Sequence, residues 1–262
     1  MSEIVPGLLE PETEPPRSKG TVALAWLREI LIVVIGALIA STLIKAFLLQ
    51  MFQIPSESME NTLLKGDRVA VQKVVPFERG DVVVFRDTLG WLHDPVSDPN
   101  FFQRSLIFVG LAEDNTSNYL IKRVIGTEGD RVACCDNGGR LTVNGVSLSE
   151  TEYLYRDPTT GVQVNPSDVS FDVVVPKGRI FVMGDHRNNS ADSRVHLDEQ
   201  VGSEPIGMTA FVPVENVQGA AVAVVFPFNR FTTFSRPETF TGVPEPTSIP
   251  DAPIIDEAPT AR

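Results

Sequence analysis

Hydrophobic positions fall into one long block followed by many short ones. No residue of 30–44 is charged, and the apolar run reaches back through Leu27 to Trp26 and forward through Ala46 to Leu49 if Arg28 and Lys45 extend their charged ends out of it. That length suits a bilayer core, so 22–49 is expected to be a transmembrane anchor. A buried core helix would show a polar face, and 30–43 has none before Ser41 and Thr42. A cleavable leader would start near residue 1 and end at a small-x-small site, whereas this run starts late and continues into Lys45-Ala46-Phe47-Leu48-Leu49. Charges do not orient the anchor, because Arg17, Lys19 and Arg28 before it are answered by Lys45, Lys65 and Arg68 after it.

Beyond residue 50 the period shortens to that of β-strands. Runs rich in Val, Ile and Phe at 68–75, 81–86, 119–125, 140–143, 173–175, 179–183 and 220–226 are separated by turn signals such as Arg79-Gly80-Asp81, Gly129-Asp130, Asn137-Gly138-Gly139 and Asn144-Gly145. The expectation is a mainly β domain over 50–236, interrupted at 87–118 by an aperiodic surface insertion. Two flanking segments have compositions that cannot bury enough apolar surface to fold. Residues 1–21 carry Pro6, Pro11, Pro15 and Pro16 among Glu3, Glu10, Glu12 and Glu14, and 237–262 hold six prolines with acidic neighbours; both are expected to be disordered tails.

Composition narrows the function. The chain has 262 residues, 42% of them hydrophobic, and a net charge of −12 without a basic stripe, which excludes a nucleic-acid partner that needs clustered Lys and Arg. Its two cysteines, Cys134 and Cys135, are adjacent and offer no zinc or redox spacing. They are expected to be ordinary thiols, with a neighbour-to-neighbour disulfide as the alternative. His93, His186 and His196 lack ligand spacing, so no metal or cofactor is expected.

Three segments carry candidate chemistry. In the segment 52–63, Pro55 fixes the backbone ahead of Ser56 and Ser58, which share one side of an extended chain; one can attack while the other donates to an oxyanion, although a polar turn reads similarly. In 118–126, a period of two sets Lys122 with Leu120 and Val124, and Arg123 with Ile121 and Ile125. A lysine among apolar neighbours loses solvation and becomes a usable base, unless it merely extends from a strand edge. The third segment, 181–194, ends a strand in a polar loop. It is either a solvated turn or a shell in which Ser190 orients Lys122 and Asp185 pairs with Arg123.

Together these segments resemble the type I signal peptidase family, the membrane-bound leader peptidases of bacteria. Ser56-Glu57-Ser58-Met59 matches the family's nucleophile motif, and Lys122-Arg123-Val124-Ile125-Gly126-Thr127-Glu128-Gly129-Asp130 its base motif. The stretches 79–85 and 183–194 are similar to two further family boxes. The resemblance runs from about Trp26 to Phe234. It implies a Ser-Lys hydrolase that needs no cofactor, with Ser58 as nucleophile and Lys122 as base. Ser56 hydroxyl and Ser58 N–H would hold the oxyanion, Ser190 would orient Lys122, and Arg123, Asp185, Asp192 and Arg194 would support the site. By position, Ile54, Pro55, Met59, Leu63 and Ile121 match residues of shallow apolar substrate pockets. Implied too are secretory precursors as substrates, membrane lipid as surroundings, cleavage after small-x-small sequences, and a single-pass place in the bacterial cell membrane with the N-terminus cytoplasmic. The chain departs from the family pattern at Asn61, Thr127-Glu128, His186 and Asn188. Two other readings remain for these residues: a Ser-His-Asp hydrolase using Ser58, His186 and Asp185 or Asp192, and a non-catalytic membrane-anchored binding module.

Overall fold

The computed structural model describes residues 19–92, 100 and 118–257. The N-terminal tail up to residue 18, His93 and most of the expected insertion lie outside them.

Two compact units divide at Ala46 and Phe47. The first holds helix α1, Lys19–Phe47. Its side chains are described at 26–41 and are exposed all round. Within the described residues no helix is long and apolar enough to cross a membrane.

The second unit is β structure, as the short apolar runs predict. An eight-stranded sheet runs β1 (Leu49–Gln53), β2 (Arg68–Gln72), β11 (Val217–Phe226), β3 (Val82–Arg86), β4 (Tyr119–Gly126), β9 (Arg179–Met183) and β10 (Val212–Pro213), with β12 (Thr232–Thr233) attached to β11. A five-stranded sheet runs β13 (Ile254–Glu257), β8 (Phe171–Val174), β5 (Arg131–Cys134), β6 (Thr142–Val143) and β7 (Val146–Ser147). All the pairings are antiparallel.

The uninterrupted apolar stretch of β3 is covered on both faces, and its alternation sorts the core. Val82 and Val84 pack with Ile54, Met59, Leu63, Val69 and Ile121, whereas Val83 and Phe85 pack with Trp91, Val124, Ile180 and Val182. A third cluster fills the smaller sheet around Val132, Val143, Phe171, Val173 and Phe181. Between β2 and β3, β11 approaches β2 so closely at Gly219 that a Cβ there would stand 1.9 Å from the Gln72 carbonyl oxygen. With φ at +150° in a register shift against β3, only glycine fits this position.

Three expectations are corrected. Residues 237–257 are not a disordered tail: Phe240 and Val243 are buried in the third cluster, β13 pairs with β8, and Glu245 pairs with Arg79 at 3.1 Å. Their apolar residues are few but placed where they dock. The insertion does not begin at 87 as free surface either. Asp87 accepts from the N–H groups of Leu89, Gly90 and Leu92, and this turn buries Trp91, whose indole donates to the Thr209 carbonyl at 2.9 Å and stacks on His196. Finally, Cys134 and Cys135 are paired as a disulfide and are not ordinary thiols.

Candidate active site

Ser58 lies in the loop joining β1 to β2. The loop is closed at its base by Ile54 N–H donating to the Asp67 carbonyl (2.8 Å) and Gly66 N–H to the Ile54 carbonyl (2.9 Å). Inside it, Leu63 N–H donates to the Met59 carbonyl at 2.7 Å, a helical turn that sends both side chains the same way. Met59 and Leu63, each 0% exposed, lock the loop into the cluster around Ile54 and Ile121. Those four residues are buried together beneath the loop. Of the five expected pocket residues, only Pro55 is exposed.

On β4, paired with β3 so that Lys122 stands opposite Val83, the lysine is 2% exposed. Its Nζ lies 2.6 Å from Ser58 Oγ and 3.2 Å from the Ile121 carbonyl oxygen. Burial lowers its pKa to about 8, against the upward pull of the Asp192 and Asp185 carboxylates, with Arg194 adding to the lowering. Ser56 is exposed, and its hydroxyl shares a hydrogen bond with Ser58 Oγ at 3.3 Å.

Two closed ion pairs flank the lysine's strand. Arg123 donates through Nε and Nη2 to the two Asp185 oxygens at 2.8 and 2.6 Å, and through Nη1 to the Gly80 carbonyl at 2.7 Å. Burial would lower the Arg123 pKa, but Asp185 outweighs it and raises it. Asp192 accepts from Arg194 Nε (2.8 Å) and Nη2 (2.9 Å) and from Gly184 N–H (3.0 Å). Burial pushes the Asp192 carboxyl up, yet Arg194 holds it below the usual carboxylate range. The structure thus brings Ser56, Ser58, Lys122, Arg123, Asp185, Asp192 and Arg194 to one place.

Ser190 does not complete the set as expected. Its buried Oγ makes no hydrogen bond to Lys122, whose Nζ bonds to Ser58 Oγ and the Ile121 carbonyl. It packs instead on Gly184, where a Cβ would stand 2.3 Å from Ser190 Oγ and 2.5 Å from the Ser58 carbonyl oxygen.

Sequence reasoning missed Thr62, whose hydroxyl donates to Asp185 Oδ2 at 2.5 Å; its place four residues after Ser58 was the available signal. It also missed Glu150, which pairs with Arg187 at 2.5 Å in full burial under Tyr153 and carries no local signal. The histidine that a Ser-His-Asp arrangement would use turns its Nδ1 to Glu60 and its ring face to Tyr155, while Ser58 Oγ faces Lys122. Among the described residues no group of side chains is arranged to hold a metal ion.

Residues 25–226 match the family described as signal peptidase, peptidase S26. The chain is 36% identical over 226 residues to a signal peptidase I of Mycobacterium tuberculosis, covering 78% of this chain and 74% of that one. It is 32% identical to a probable signal peptidase I-1 of Synechocystis, covering 86% and 93%, and 31% identical to a signal peptidase I of Bacillus licheniformis, covering 83% and 96%.

Proposed function

The chain belongs to the signal peptidase family, peptidase S26, and from that membership we propose that it removes signal peptides from secretory precursors by a Ser58–Lys122 dyad. The observation that carries the dyad is the 2.6 Å approach of Lys122 Nζ to Ser58 Oγ, made by an amine whose pKa burial has brought down to about 8. Neutral Lys122 takes the Ser58 proton as Oγ attacks the scissile carbonyl. Ser58 N–H and the Ser56 hydroxyl hold the oxyanion, and the proton passes to the leaving amine as the peptide bond breaks. The resulting ester at Ser58 is cleared by a water from which Lys122 takes a proton in turn.

The substrate is read as a precursor with small residues next to the cut. Ile54, Met59, Leu63 and Ile121 already fill one another's space beneath the serine loop, which favours small side chains above it. Incubating the detergent-solubilised protein with a secretory precursor and locating the cut by mass should give cleavage after Ala-x-Ala. Efficient cleavage after Phe would contradict it.

We also read 22–49 as a single-pass anchor in the bacterial cell membrane, with the N-terminus cytoplasmic and the β unit outside. Support comes from the uncharged run 30–44 and from apolar side chains exposed over residues 26–41 of α1, which water disfavours and lipid does not. A reporter fused after Phe234 is expected to be active only if it works outside the cytoplasm; activity of a cytoplasm-only reporter there would reverse the topology.

A further inference from the structure

The two loops that meet at the nucleophile come from distant parts of the chain, residues 54–67 and 184–192, and their relative position fixes where Ser58 Oγ stands. Three ties join them. The first is backbone: His186 N–H donates to the Ser58 carbonyl at 3.0 Å. The second is Thr62 Oγ1 to Asp185 Oδ2 at 2.5 Å. The third is made by the His186 side chain, whose Nδ1 lies 3.0 Å from Glu60 Oε2 while its ring stacks on Tyr155 with centroids 3.8 Å apart and planes 20° apart. Tyr155 is itself fixed, since its N–H donates to the Asp185 carbonyl at 3.0 Å.

His186 is one of the positions where this chain departs from the family pattern, and the structure gives the departure a partner. We propose that Tyr155, His186 and Glu60 form a clasp that positions the nucleophile loop, with His186 and Glu60 acting as one unit that holds Ser58 in register for the reaction. The inference rests on the Ser58–Lys122 reading. The histidine ring is 12% and the Glu60 side chain 23% exposed, so water screens the contact only in part. The Nδ1–carboxylate contact is off hydrogen-bond geometry, so the tie is one of charge and of ring stacking on Tyr155.

The physical reason for an effect on rate is local. The residues on either side of the nucleophile's carbonyl bond, Gly184 and His186, belong to the partner loop; Gly184 leaves no room for a Cβ against that oxygen, so the fit tolerates little drift. If Glu60 and His186 release each other, the loop keeps its core anchors Met59 and Leu63 but loses its outer tie, and Ser58 wanders from Lys122. Misplacement of a reacting group by about 1 Å costs up to ~10²-fold in rate.

The test is a double-mutant cycle on the full chain in detergent, with Glu60→Gln, His186→Ala and the pair, each scored for kcat, KM and melting temperature on a precursor substrate. Each single variant is expected to lower kcat about tenfold with KM little changed, and the double variant to lose no more than the worse single, because a clasp opened once cannot be opened again. Additive losses would overturn the proposal, as would a fall in melting temperature with kcat intact. Should His186→Ala not fold, Glu60→Gln decides alone, and full kcat there overturns the clasp. Lys122→Ala run alongside separates the two ideas: if it is inactive while the cycle shows nothing, the clasp fails and the dyad stands, whereas an active Lys122→Ala removes the dyad itself.

Discussion

Lys122→Met yields a folded protein that no longer cleaves, with the rate reduced by on the order of 10⁴-fold or more, and Ser58→Ala gives a loss of the same size because the two act as a unit. Methionine suits the test, since it fills the lysine's space without an amine. For the unaltered protein, activity climbs with pH and levels off above about 8, the pH at which the buried amine gives up its proton. The sign follows from the direction of the shift. Burial lowers the lysine pKa from 10.5 to about 8, so between those values the unfolded chain binds a proton that the folded chain does not, and stability rises with pH across that window. Below about pH 8 the lysine destabilises the fold by on the order of 3 kcal/mol, and Lys122→Met removes that cost. Melting at pH 7 is therefore expected to be no lower in the variant. A folded Lys122→Met protein with substantial cleavage would refute the dyad, and a pH profile unchanged between 6 and 9 would place the essential proton elsewhere.

Removing 237–262 is expected to destabilise the β unit strongly. The deletion takes away Phe240 and Val243, which are 4% and 7% exposed, and opens the cluster that includes Phe181 and Phe211. It strips β13 from β8, and it leaves Arg79 bonded to Asp130 alone where Glu245 had joined them. Loss of one buried phenylalanine costs about 3–5 kcal/mol. In a domain of this size that is a fall of roughly 6–20 °C in melting temperature, before the strand is counted. Thermal melting of the truncated and full chains measures it; coincident curves would show that the segment only rests on the surface.

The same segment marks where the sequence was hard to read. Six prolines and scattered acids look like a chain that cannot fold by itself, and locally that is true. What orders 237–257 is a surface made elsewhere: the hollow at Gly80, where a Cβ would clash with the Phe240 ring at 2.6 Å, and the open edge of β8. Neither leaves a local trace. The short strands β5, β7, β10 and β12 were missed for a similar reason, since two to four residues cannot display a period. By contrast β3, β4 and β9 were legible because each is a run of large apolar residues between strong turns. The serine and lysine of the site could be named because both stand in dense motifs. Thr62 shares the first motif and went unnoticed, as its role exists only where Asp185 comes up against it. How deeply the apolar positions around Ser58 are buried was not legible, because a sequence gives chemical type and not whether neighbours already fill the space.

The strand order has a consequence in time as well as in space. β2 and β3 follow one another in the chain yet do not pair, because β11, made some 130 residues later, lies between them. Until 217–226 have arrived, the first strands form two separate fragments: β1 with β2, which carries the serine loop, and β3 with β4, which carries the lysine. Such late, non-local closure predicts slow folding for the chain's length. It also means that a partly synthesised chain carries Ser58 and Lys122 on pieces that no strand joins until β11 is in place.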